Sequence, residues 1–456
     1  MGFLIKGGTI VLDGDSYCAD VYVKNDKICA IGNDLDENAD QNLTVIDARG
    51  CFVLPGGVDV HVHLDYPLKG TRTADGFFAG TSAAAAGGTT TIIAMIPPPE
   101  DDRTLRQTLE MWKDKARNEA VVDYSFHLIV KQADTETLRE IPSLHREGFT
   151  SFKVFLGTSN AVPDHMLLQL MQVVKDCGGQ LLVSAGNIAI ENFAEGYLRS
   201  QGKLTVRHYP RSRPETAEVE GTARAIRMGG LIGLPLYFVH VSCAQALEEI
   251  RVGRQKGIQI IAETCPQYLM LSSKCYTEED AGKYVLNPPL READNQSYLW
   301  KAIKEGDIQV IASDHCSFNF RGQKDCSDND FTLIPNGLPG LETRLLLIYN
   351  EGIGKGRINL NKFVELVSTG PAKAFGLYPR KGIIAVGSDA DIVLWDPSVK
   401  RTIDTDNLTQ SVDYTPYEGF KVIGSPKLTM IRGEVVFSEN NFMGRKGYGR
   451  LIPRNQ

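Results

Sequence analysis

VLPGGVDVHVH, residues 53–63, holds a turn, a strand and two histidines one residue apart. Side chains alternate across a strand with period two, so His61 and His63 leave one face together while Val62 points the other way. Two neutral imidazoles side by side at a strand end can serve as ligands to one divalent metal. The chain has only eight histidines, so this pairing is more than composition. Its meaning depends on whether later strands end on further ligand types.

From Pro55 to about Phe375, apolar β-rich runs alternate with helix-period stretches such as DHMLLQLMQVVKDCG (164–178) and TAEVEGTARAIRMGGL (216–231). After VDVHVH come TTTIIAMI (89–96), DYSFHLIV (123–130), TSFKVFL (150–156), GQLLVSA (179–185), LPLYFVHVS (234–242), IQIIAETC (258–265) and IQVIASD (308–314). Near-continuous apolar strands separated by helices imply parallel strands buried on both faces. Eight of them predict an α/β fold, a TIM-type (β/α)8 barrel over residues 54–378. Residues 1–53 read instead as short strands, with turns at Gly7-Gly8, Asp13-Gly14 and Asn25-Asp26. Strands return after Pro379, in KGIIAVGSDADIVLWDP (381–397) and KLTMIRGEVVFSE (427–439). The two ends, 1–53 and 379–456, are expected to form one small β-sandwich domain. The basic, Gly-rich tail from Gly444 to Gln456 reads as a docking arm.

The bulk properties exclude several partners. A net charge of −7 without a long basic run argues against nucleic acid and anionic membrane. No apolar run is long enough for a membrane span, and the first residues enter a strand pattern without a signal core. Gly2 lacks the downstream Ser or Thr that myristoylation favours. Nine scattered cysteines without a C-x-x-C spacing fit reduced thiols in a cytoplasm.

Barrels of this kind place catalytic groups at the C-terminal ends of their strands. Those ends hold His61, His63, Lys153, His240 and Asp314. Lys153 stands out, because a lysine inside a buried strand needs a partner or a chemical modification to offset the loss of hydration.

These residues and their surroundings resemble the cyclic amidohydrolases, the dihydropyrimidinases and hydantoinases of the wider amidohydrolase superfamily. The resemblance spans the chain: PGGVDVHVH (55–63), AGGTTTII (86–93), TSFKVF (150–155), YFVHVS (237–242), AETCPQYL (262–269), NPPLR (287–291), SDHCSFNF (313–320), IPNGLPGLE (334–342) and YPRKGIIAVGSDADIVLWDP (378–397). It implies a metal-dependent hydrolase that opens the C–N bond of a small cyclic amide or imide. One divalent ion, zinc by resemblance, would be held by His61, His63, Asp314 and a carbamylated Lys153. A second ion would use the other carbamate oxygen and His240. Asp314 would act as general base and then acid on the attacking water. Asn336 and the backbone at Asn287 match positions that grip the substrate's amide edge. A homotetramer or homodimer is also implied.

The chain departs from the family in three places. The family's second metal takes a further histidine from the pattern His-Ala-Glu-Asn, where this chain has Ser184-Ala185-Gly186-Asn187. The family's oxyanion-binding tyrosine, five residues after the lysine, is Thr158 here. Asn287 replaces a usual serine. A serine hydroxyl is a poor zinc ligand beside imidazole, so the second metal site is expected to be altered. Two other readings follow. In one, Ser184 acts through a water or His165 moves in. In the other, the chain is a non-catalytic interaction protein like the collapsin response mediators. Among the remaining polar residues, His315 reads as second layer or core. His208, Arg211 and Arg213 read as a surface or interface patch. Cys265 and Cys316 lack the adjacent base a nucleophile needs, and AAAAGG (83–88) reads as a helix end with a glycine stop.

Overall fold

Eight parallel strands follow one another around a barrel: β1 Gly57–Val62, β2 Thr89–Ile96, β3 Asp123–Ile129, β4 Ser151–Phe155, β5 Gln180–Ser184, β6 Leu236–Phe238, β7 Ile260–Thr264 and β8 Val310–Ile311. The computed structural model describes residues 2–36, 43–100, 102–327 and 329–454. Each strand falls on one of the eight apolar runs, β1 starting one residue ahead of its run at Gly57. β1 and β2 are buried along their whole length, which a sheet covered on both faces requires.

β8 is far shorter than its apolar run, because the barrel closes there through side chains as well as backbone. Val62 bridges His315, and the His63 N–H donates to the His315 carbonyl at 2.7 Å. Asp59 on β1 accepts the Ser313 N–H at 3.2 Å and pairs with Arg344 Nε at 3.2 Å. Arg344 is fully buried and donates to the carbonyls of Val58 and Ile311. One guanidinium thus spans the β1–β8 seam where a regular ladder is missing.

The helices that follow the strands carry the expected stripe. Leu105–Arg117 buries Leu105, Leu109, Trp112 and Ala116, and a Thr104/Gln107 capping box starts it. Phe77–Ala86 is buried almost all round and stops at the predicted glycines, where Gly88 has φ +83.

Strands from both ends of the chain form two further sheets. The four-stranded sheet runs Lys27–Gly32, Asp20–Lys24, Gly2–Lys6, Leu43–Asp47. The seven-stranded one places Phe52–Pro55 between Thr9–Val11 and Ile392–Thr402. Ile5, Val21, Val23 and Ile28 pack there with Val53, Ile392, Leu394 and Met430. Phe52–Pro55 continues through Gly56 into β1. Only glycine fits at 56, since a Cβ would lie 2.1 Å from the Thr90 hydroxyl.

The tail is not a free arm. Leu451 bridges Tyr124, and Ile452 joins the inner apolar cluster with Phe375 and Leu377. Arg454 donates to Ser125 Oγ at 3.0 Å and to the Phe126 carbonyl at 2.6 Å. The described part of the tail therefore packs on this chain's own barrel, against the start of β3.

Candidate active site

At the C-terminal ends of the strands lies a cavity of about 570 Å3, lined by His63, Lys153, His240 and Asp314. His61 and His63 approach the same carboxylate oxygen, as their period-two spacing requires. Their Nε2 atoms lie 3.1 and 3.5 Å from Asp314 Oδ1. One ligand atom from each of the three falls within 4.8 Å of the others. Lys153, 1% exposed, places Nζ 2.9 Å from His61 Nε2.

The backbone is strained where strands give way to the site. His240, Asp314 and Thr158 have φ of +41, +51 and +66, a region that costs a non-glycine residue on the order of 1–3 kcal/mol. Neighbouring bonds hold this geometry, such as the His240 N–H to Glu263 Oε1 at 3.1 Å.

Proton bookkeeping tests whether the residues suit a cation. His61 Nδ1 donates to Glu263 Oε1 at 2.7 Å, which leaves Nε2 as a lone pair aimed at Asp314. Burial pushes His61 and His63 down to about 3 and His240 down to about 4, so all three are neutral imidazoles at physiological pH. Burial works against the Asp314 carboxylate, but His61, His63 and His240 together hold it below the usual range. The His61 lone pair, His63 Nε2 and a carboxylate oxygen converge on one point, where a cation would be well placed. Such a donor set suits zinc. Burial also pushes Lys153 below the ordinary range of an amine.

The other half of the site differs. Ser184, at the end of β5, lies 3.0 Å through Oγ from His240 Nε2. The His61 and His240 rings are 5.6 Å apart. Thr158 turns its hydroxyl to the Asn160 N–H of its own loop. Asn287 and Asn336 line the cavity, and Asn336 Oδ1 is buried without a hydrogen-bond partner. His165 is exposed in the first turn of Asp164–Asp176 and does not line the cavity. His315, fully buried, faces Asp75 at 3.2 Å and accepts the Gly340 N–H at 3.1 Å, a second-layer position.

Sequence reading missed four residues here. Glu263 on β7 is a buried carboxylate that accepts from His61, from the Tyr237 hydroxyl at 2.7 Å and from the His240 N–H. Its signal was visible as a charge inside the apolar run IQIIAETC, the same oddity that marks Lys153. Glu191 and Arg213 also line the cavity. Arg213 is thus a wall residue, not part of a surface patch with His208 and Arg211, because Tyr209–Ser212 turns it inward. Lys324 is buried and donates at 2.9 Å each to the carbonyls of Val285, Pro335 and Gly337.

Comparison with known proteins agrees with this fold. The amidohydrolase family profile matches residues 52–436. A D-hydantoinase of Geobacillus stearothermophilus is 45% identical over 99% of this chain and 96% of its own length. The crystal structure of a dihydropyrimidinase from Brevibacillus agri superposes with a TM-score of 0.97 at 44% identity, covering 100% of this chain and 99% of that one. An L-hydantoinase from Arthrobacter aurescens superposes at 0.91 with 31% identity, over 99% of each chain.

Proposed function

Since the chain belongs to the amidohydrolase family, in its hydantoinase and dihydropyrimidinase branch, we propose that it opens a small cyclic amide at a site dominated by one metal ion. It is a hydrolase of C–N bonds in cyclic amides. The observation that carries the finer reading is the convergence of His61, His63 and Asp314 beside Lys153. These four residues would hold the ion. When bound, a divalent ion there acidifies water and polarises the ring carbonyl.

The chain's own groups do the rest. Asp314 takes the proton of the attacking water and hands it to the ring nitrogen as the C–N bond breaks. Asn336 Oδ1, unpaired and buried, accepts a ring N–H, and the Asn287 backbone holds the opposite edge. Burial pushes the Lys153 amine below its ordinary range, which favours the uncharged form that carbamylation by CO2 requires. The Ser184 hydroxyl engages the His240 nitrogen that a second ion would use, so that ion would be held weakly. With Thr158 turned into its own loop, the site lacks the tyrosine's oxyanion donor, a loss of about 10²–10³ in rate. The preferred ring therefore differs from those that tyrosine-bearing relatives handle best. A scaffold has no physical need for the retained donor set, which removes support from the interaction-protein reading.

The test is metal content per chain together with turnover of hydantoins, dihydropyrimidines and related rings. The expected result is one equivalent that survives dialysis and ring opening that requires it. Two equally tight equivalents with rapid dihydrouracil turnover would overturn the altered-site reading.

A further inference from the structure

Beside the ligand cluster, the cavity wall carries an acid and a base that face each other without a hydrogen bond. Glu191 lies in the first turn of Ile188–Ser200 with its side chain 7% exposed, and its Oε2 is 3.8 Å from Arg213 Nε. Arg213 Nε is buried and has no hydrogen-bond partner. Two glycines make room for the carboxylate. A Cβ at Gly157 would come within 2.1 Å of Glu191 Oε1, and one at Gly186 within 2.7 Å. Gly186 stands where the family pattern has glutamate, and a side chain there would crowd the Glu191 carboxylate.

The pair is held in place. Arg291 donates to the Arg213 carbonyl at 2.7 Å, and the Arg213 guanidinium lies 5.7 Å over the Tyr209 ring. Tyr209 in turn donates to the Leu286 carbonyl at 2.7 Å, beside Asn287. Glu191 Oε2 accepts the Thr158 N–H at 3.3 Å, which ties it to the loop after Lys153. The subsite therefore borders the space where a ring would sit.

Charge decides what fits. Glu195 lies 3.7 Å from Arg213 Nη1, and Lys69 also lines the cavity. An anionic substituent would meet Glu191 and Glu195, and a cationic one would meet Arg213 and Lys69. A neutral planar group with one N–H and one C=O matches both partners at once, the carbonyl accepting from Arg213 and the N–H donating to Glu191. We propose that Glu191 and Arg213 form a subsite for the ring's exocyclic substituent, selecting a carboxamide end. The inference rests on the cyclic-amide hydrolase reading above.

The test pairs binding with turnover. Ring-opened N-carbamoyl amino acids with glutamine, glutamate and homoleucine side chains are titrated calorimetrically, and the matching hydantoins are assayed for kcat/KM. The glutamine side chain should win over both others by at least about tenfold in each measurement. In Arg213→Met its ratio to homoleucine should fall to near one. Equal or better binding of glutamate or homoleucine by the unmodified protein would overturn the proposal without any variant. A ratio unchanged in Arg213→Met would do the same. Ring opening without preference sinks the subsite alone. Preferential binding of the carbamoylglutamine with no ring opened keeps the subsite and sinks the hydrolase reading.

Discussion

Glu263 fixes which nitrogen of His61 is free. By accepting the Nδ1–H, it leaves Nε2 facing Asp314, and through Tyr237 and the His240 N–H it ties β6 to the same carboxylate. Such outer partners typically contribute 10–100-fold to metal affinity. Glu263→Gln presents an N–H2 to groups that are themselves donors. It should weaken metal retention by about 10–100-fold in competition with a chromogenic chelator. Ser184→His supplies a second imidazole beside His240, and metal analysis should then find a second tightly held equivalent. A gain of neither metal nor activity would clear Ser184 as the limiting residue. The strand-end residues were legible from sequence because a barrel fixes where strand ends go. Glu263 was legible in principle, by the argument that singled out Lys153. Glu191 and Arg213 were not, since their positions depend on a short helix and two glycines whose geometry no local pattern encodes.

At the scale of elements, two loops that share no secondary structure form one wall. Lys324 joins them, its amine bonded to carbonyls at 285, 335 and 337. Asn287 and Asn336 are carried by these same segments. Burial pushes the Lys324 amine down to about 7, while three carbonyl acceptors call for all three N–H groups of the ammonium, so this local clamp is complete only when the amine is protonated. Lys324→Met should raise KM by roughly tenfold or more with a smaller change in kcat. A fall in kcat at constant KM would show that the clamp does not act on substrate binding. The eight barrel strands could be read from apolar runs, but the brevity of β8 could not. Its ladder gives way to Asp59 and Arg344, which only the closed seam brings together. The tail misled for a related reason. Its basic, glycine-rich composition looks unfolded, yet Arg454 finds its acceptors 329 and 328 residues away.

Over the whole molecule, a buried ion network fastens barrel to sandwich. Asp389 receives Lys27 at 2.8 Å, Arg380 at 2.9 Å and Lys381 at 3.1 Å. Lys381 also reaches Asp123 on β3 at 2.6 Å and Asp391 at 2.8 Å. Burial alone would raise the Asp389 carboxyl, but Lys381, Lys27 and Arg380 outweigh it and hold it at about 2. Its folded pKa is thus below the unfolded value, so its stabilisation is present above about pH 4 and is lost as pH falls through about 2. Asp389→Asn leaves Lys381 with fewer counter-charges and should cost about 3 kcal/mol near neutral pH in denaturant titrations. The gap between the two proteins should close between pH 4 and 2. A gap that is constant across that range would show that the carboxylate's charge is not what matters.

The sandwich also sets a timetable. Lys27 and Asp389 are 362 residues apart, and Phe52–Pro55 pairs with a strand that begins at Ile392. At ribosomal rates of roughly 5–20 residues per second, the first sheet waits on the order of 20–70 s for its other half. Throughout that interval Val53, Ile5 and Val23 lack the C-terminal half of their apolar cluster, Ile392, Leu394 and Met430. A nascent chain halted near residue 60 should therefore be captured by holdase chaperones and should precipitate when released alone. One halted after residue 440 should show far less of both.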